Sequence, residues 1–216
     1  MSQTDSFIEE VTEEVQRDRL FAVIKKWGWV AILAVLLIVG GAAFNEYRKA
    51  NIRAEAESFG DSLLAGIDAD DDGASLAQIA AVGPQQAAIV GHLAAADALA
   101  GDNTEFGIEQ LDKVIASQDA PEIYTELAQL KRALALPPET AIAERRAAFD
   151  ALAVSGAPFQ LLAEEQLALI SIEEGDSEAA IATLQGVLAS SKITAGLQRR
   201  ASELIVALGG ELADAQ

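Results

Sequence analysis

The chain has 216 residues, 34 acidic against 15 basic, one His and no Cys, for a formal charge of −19. That acidity excludes nucleic acid as the partner, because phosphate binding needs a basic stripe. Zero Cys excludes disulfides, thiol catalysis and Cys-based zinc sites, and a single His cannot build a histidine metal cluster.

Residues 1–26 are polar and of mixed charge. Phe7, Ile8, Val11, Val15, Leu20 and Ile24 fall at helical spacing and predict a short amphipathic helix. Trp27 to Phe44 is an 18-residue run with no charge and no amide side chain, close to the span of a bilayer core. Trp27 and Trp29 stand at its start, where amphipathic rings favour the interface. Residues 27–44 are therefore expected to be a transmembrane helix in contact with lipid. A buried core helix is the first alternative, but such helices usually carry a polar face. A cleaved signal peptide is the second, with Gly40-Gly41-Ala42-Ala43 as its cleavage site, but the preceding region is long and net acidic. Four basic residues precede the run (Arg17, Arg19, Lys25, Lys26) and three follow it (Arg48, Lys49, Arg53). The bias predicts the N-terminus inside and the C-terminal domain outside.

Residues 45–84 read as a lead-in helix and an acidic turn. Asp68-Ala69-Asp70-Asp71-Asp72-Gly73 matches the start of a calcium loop, with carboxylates at alternate positions and Gly at the turn. Ile79 stands where the closing bidentate Glu is required, so a solvated acidic turn is expected and no metal site is assigned.

From 85 to 216 the chain is rich in Ala and Leu, and turn signals recur at Gly83-Pro84, Gly101-Asp102, Ala120-Pro121, Pro137-Pro138, Gly156-Ala157-Pro158 and Gly175-Asp176. Apolar residues three and four apart between these marks predict stacked helical hairpins. The segment from Asn103 to Ser117 aligns with that from Asp176 to Ser190 at an offset of 73, with Ile108, Leu111, Val114 and Ile115 matching Ile181, Leu184, Val187 and Leu188. Two units in that span give a period near 36, close to the roughly 34 residues of a tetratricopeptide repeat. Gly175-Asp176-Ser177-Glu178-Ala179-Ala180-Ile181 resembles the turn and second-helix start of such a repeat, with Leu167 and Ala168 in the preceding helix. Gly101-Asp102 and Gly107-Ile108 repeat the scheme with one residue inserted, placing Leu93 and Ala94 at the matching positions. The large aromatics of the consensus first helix are missing. The expected class is all-α: an N-terminal transmembrane helix followed by a tetratricopeptide-like helical-hairpin solenoid with a C-terminal capping helix.

A short charged N-terminus, one membrane span and a tetratricopeptide-like domain together resemble the ancillary subunit of the bacterial Sec translocon. The resemblance implies a single-pass inner-membrane protein with a periplasmic domain. It further implies association with the translocon and with a periplasmic chaperone, in support of newly exported chains. A repeat scaffold for another envelope assembly or secretion complex fits the same layout. No binding residues are carried over.

No catalytic set is expected. His92 lies in an Ala-rich helix without a nucleophile beside it, and is read as structural. Glu164-Glu165 and Glu173-Glu174 are adjacent pairs that diverge by about 100° on a helix, and are read as solvated faces. A carboxylate-dependent hydrolase of the envelope is the distant alternative; it would need two carboxylates converging in an aromatic-lined cleft. No G-x-G-x-x-G or P-loop pattern occurs, so no cofactor is expected. Arg145-Arg146 and Arg199-Arg200 are expected to pair within the domain. The Ala-rich helices predict a groove lined by small and aliphatic side chains, suited to an apolar segment of a partner.

Overall fold

The computed structural model describes residues 3–212, with side chains from residue 25 onward apart from residue 31. The face proposed at Phe7 to Ile24 lies outside the described side chains. The described residues form helices and turns with no strand, so the chain is all-α. It divides into two units, Met1–Phe59 and Gly60–Gln216.

In the first unit every described residue belongs to α1 (Gln3–Ile67). The sequence reading divides this stretch into three segments, but the backbone is helical throughout. The chain has no Pro before Pro84, and Gly40 and Gly41 alone weaken a helix without ending it. The stretch within Lys25–Ile67 is long and apolar enough to cross a membrane, and none of its apolar window is buried by protein. Trp27, Trp29, Leu36 and Ile38 are all exposed. That exposure is unlike a core helix, which buries its apolar side chains against neighbours.

In the second unit α1 ends at Ile67, and the acidic turn follows with Asp70, Asp72 and Gly73 all at positive φ. Gly73 is required twice over: its φ is 79°, and a Cβ there would collide with the Ala94 carbonyl. After the short α2 (Ala74–Ala77) come α3 (Pro84–Ala100), α4 (Thr104–Ala116), α5 (Glu122–Leu134), α6 (Ile142–Asp150), α7 (Gln160–Glu173), α8 (Ser177–Leu188) and α9 (Ala195–Ala207). The turn residues act as their chemistry requires. Pro84 occupies the first helical position of α3, where its missing N–H costs nothing. Asn103, Asp176 and Thr194 cap α4, α8 and α9, their side-chain oxygens accepting the N–H groups of Phe106, Ala179 and Leu197.

Helices pack on their neighbours in chain order, and α3 also reaches α5. Three apolar clusters result. The first joins Ala88 and Ala95 of α3 with Leu111 and Val114 of α4 and Ala128 of α5. The second joins Leu130 and Ala133 of α5 with Phe149 of α6, Leu152 just after it, and Ala163 and Ile170 of α7. The third joins Ala168 of α7 with Leu184 and Val187 of α8 and Leu197, Ala201 and Ile205 of α9. Thus α5 and α7 each contribute to two clusters, one on either side. This is how short helices that cannot bury a face alone share cores along a chain.

The two aligned hairpins correct one register in the sequence reading. The N–H of Asn103 donates to the Ala98 carbonyl and that of Asp176 to the Ser171 carbonyl, at 2.8 and 2.9 Å. Likewise Gly101 donates to Asp97 and Glu174 to Ile170, both at 3.0 Å. Every pair is offset by 73, so no residue is inserted. Ala168 corresponds to Ala95, not to Ala94, and Ala95 and Ala168 are each fully buried. The left-handed turn position is Gly175 in one hairpin and Asp102 in the other, with φ of 82° and 61°. Gly101 is not left-handed; its φ is −86°.

Candidate functional site

An open groove of about 700 Å³ lies on the face built by the odd-numbered helices α5, α7 and α9. From α5 it takes Leu130 and Leu134, one turn apart. From α7 it takes Leu162, Glu165, Gln166 and Leu169. These are i, i+3, i+4 and i+7 and so form one helical stripe. From α9 it takes Arg200, Glu203, Leu204 and Ala207, with the same spacing. Leu134, Leu162 and Leu169 are 54%, 37% and 38% exposed, so the groove presents aliphatic surface to solvent.

One ion pair spans the groove. Arg200 donates from Nε to Glu165 Oε1 and from Nη2 to Oε2, both at 2.7 Å. Glu165 is buried while Arg200 is half exposed. The bidentate geometry is the strong form of this contact, and the carboxylate holds the guanidinium above its ordinary value. The pair ties α7 to α9 and satisfies both oxygens of the buried Glu165 carboxylate. Glu165 is therefore not part of a solvated face, as the adjacent Glu164-Glu165 suggested. Its i and i+1 neighbours diverge, and it is the one that turns inward.

Arg145, Arg146 and Arg199 also pair within the unit, as expected. Arg145 donates to Glu173 at 2.5 Å and Arg146 pairs with Glu174, joining α6 to the end of α7. Arg199 and Glu203 lie at 4.0 Å on exposed side chains of one helix, a contact that contributes little. The Glu173-Glu174 pair thus holds two arginines in place.

His92 is buried on α3, and its Nε2 sits 3.0 Å from the Tyr124 carbonyl at the start of α5. A carbonyl only accepts, so Nε2 carries the proton. Burial pushes the imidazole below its ordinary value, the Tyr124 carbonyl opposes that, and nearby Lys131 adds to it. Its place is a helix-to-helix tie.

The acidic turn does not gather its carboxylates. Both oxygens of Asp71 accept the Ser75 N–H at 3.1 Å, and Oδ2 accepts the Ser75 hydroxyl at 2.5 Å, which lowers the Asp71 carboxyl from its ordinary value. Asp72 lies against Gly101 instead. Among the described residues no group of three His, Asp or Glu side chains is placed to hold a metal ion.

Glu165 and Glu203 both border the groove, but Glu165 already accepts two guanidinium bonds and no aromatic side chain lines the site. The groove has the aliphatic lining expected, but Ala207 is its one small side chain. The alanines Ala163, Ala168, Ala180 and Ala201 are fully buried between helices, where they permit close approach, and leucines face the groove. Sequence alone could have found the α7 stripe from its i, i+3, i+4, i+7 spacing. It could not show that α5 and α9 bring matching stripes beside it. No protein-family model, curated protein or solved structure matches the chain.

Proposed function

We propose that this chain is a membrane-anchored binding protein whose hairpins form a tetratricopeptide-like solenoid, with its N-terminus cytoplasmic and its helical domain periplasmic. In this reading it associates with the Sec translocon and periplasmic chaperones and assists newly exported proteins. The observation that carries the reading is a solvent-facing aliphatic groove on a strongly acidic helical unit, in a chain with an unburied apolar span. Binding rather than catalysis accords with the groove, where apolar side chains dominate and the buried carboxylate is already paired.

The test is site-specific photocrosslinking of the full-length protein in its native membrane, with the reactive side chain at Leu162, Leu169 or Leu204. Translocon subunits and periplasmic chaperones are the expected products. Exclusively cytoplasmic products, or one unrelated envelope machine, would overturn the translocon assignment. Topology has its own readout because the chain has no Cys. A Ser155→Cys variant should react with a membrane-impermeant maleimide from the periplasmic side; protection there until the inner membrane is lysed would reverse the orientation.

A further inference from the structure

The groove's chemistry restricts what can lie in it, given the reading above that it is a binding site. An extended peptide brings one N–H and one C=O per residue to the surface it contacts. Here five of the ten lining residues are leucines, and both Glu165 carboxylate oxygens are already engaged by Nε and Nη2 of Arg200. Gln166 and Glu203 are the other polar side chains of the groove. A desolvated extended backbone would leave most of its polar groups unpaired there, which disfavours binding. A helix satisfies its own backbone and shows only side chains. Four aliphatic residues at i, i+3, i+4 and i+7 span about 11 Å of helix, and such a row can mesh with the like-spaced stripes of α7 and α9.

Charge narrows the occupant further. Residues 60–216 hold 25 acidic and 8 basic side chains, net −17. Six of those basic residues, all but Lys131 and Lys192, already sit in ion pairs within the unit. The field left over is therefore acidic, attracting cations and repelling anions.

We propose that the groove takes an amphipathic partner helix, aliphatic on one face and carrying Lys or Arg on its flanks. The probe is a fluorescein-labelled 14-residue peptide with Leu at i, i+3, i+4 and i+7 and Lys elsewhere on its exposed face. The full chain is held in phosphatidylcholine nanodiscs, with empty nanodiscs as the baseline, and anisotropy gives the affinity. Three comparison peptides are used: one with the leucines scattered round the helix, one with Glu for Lys, and one with two central prolines. The parent should bind at least 10-fold more tightly than each, and added salt should weaken it. Leu169→Glu and Leu134→Glu, two partly exposed groove positions, should each reduce binding at least 10-fold while leaving the thermal melt by circular dichroism unchanged.

Equal binding of the proline peptide, or of the Glu peptide, would overturn the proposal. So would unchanged binding by both groove variants. Self-association that Leu169→Glu abolishes would make a second copy of this chain the occupant and likewise overturn it. Peptide failure alongside groove crosslinks to translocon subunits would sink the helix proposal alone; selective peptide binding alongside crosslinks only to an unrelated machine would sink the translocon assignment alone.

Discussion

The hairpins α3–α4 and α7–α8 share one packing scheme, 73 residues apart, and they differ on the faces they expose. Their cores agree: Leu111 and Leu184 are both fully buried, Val114 matches Val187, and Ala95 matches Ala168. Their turns share three backbone hydrogen bonds at that offset, and the later turn adds one from Gly175 to the Ile172 carbonyl. The same register pairs His92 with Glu165. Each is a buried polar residue of its first helix, and each reaches the next helix but one: His92 to the Tyr124 carbonyl of α5, Glu165 to Arg200 of α9. One tie uses a neutral ring and a backbone oxygen, the other two full charges. Around them Leu162 and Leu169 have Ile89 and Ala96 as counterparts, so the later hairpin extends more aliphatic surface. Matching buried positions with different face residues let two hairpins share a packing scheme while presenting different surfaces.

If the cores are equivalent, equal truncations must cost the same. Leu111→Ala and Leu184→Ala should each destabilise by about 3 kcal/mol, the usual range for a buried leucine. Denaturation of the full-length protein in micelles, followed by helix signal, reads this directly. A cost that differs more than twofold between the two would break the equivalence of the hairpins.

The ties should separate them instead. Arg200→Ala leaves the Glu165 carboxylate buried without its partner and should cost about 2 kcal/mol, less than a wholly buried pair because Arg200 is half exposed. Glu165→Gln should restore a good part of the loss when combined with Arg200→Ala, since an amide is cheaper to bury than a lone charge. No rescue in the double variant would show that the pair does not govern the α7–α9 contact. Smaller again is the turn. Gly175→Ala places a Cβ at a φ of 82° and should cost about 1 kcal/mol, whereas Asp102→Gly relieves a φ of 61° and should stabilise by a few tenths. Melts of the two variants moving in the same direction would refute the turn equivalence.

The all-α class and the membrane-length run were legible because each is carried by local pattern: apolar residues three and four apart, Pro and Gly at the ends, an uncharged stretch of bilayer length. The α4 and α8 alignment was legible for the same reason, and the structure adds that Asn103 and Asp176 cap the two helices. Register in the preceding helices was not. Gly101 looks like the left-handed residue, but Asp tolerates that conformation too, and the chain places it at Asp102. The continuity of α1 was hidden by its changing composition, since charge and hydropathy shift along it while helix propensity does not fail. The Glu165 tie escaped because adjacent glutamates read as solvent-facing and Arg200 is 35 residues away. The groove is a product of three helices from separate stretches, and no single stretch carries it.

The comparison is sharpest, and the effect smallest, in pH. His92 is neutral in the fold, and burial lowers its affinity for a proton below that of the unfolded chain, whose ordinary value is 6.5. The unfolded state therefore takes up the proton first as pH falls, so the His92 contribution is complete above pH 6.5 and is lost as pH drops through the lower folded value. Tyr124 limits the loss by accepting from Nε2, and Lys131 adds to it. Stability should therefore fall between pH 7.5 and 5. In His92→Gln, which keeps a donor but does not titrate, this part of the pH dependence should vanish. The α7–α9 tie provides the contrast, for Arg200 stays charged throughout this range. Melting wild type and His92→Gln across these pH values isolates the imidazole, because their carboxylates are the same. Parallel curves would mean that protonation of His92 does not weaken the α3–α5 tie. The two polar links would then be alike in their response to acid as well as in their place.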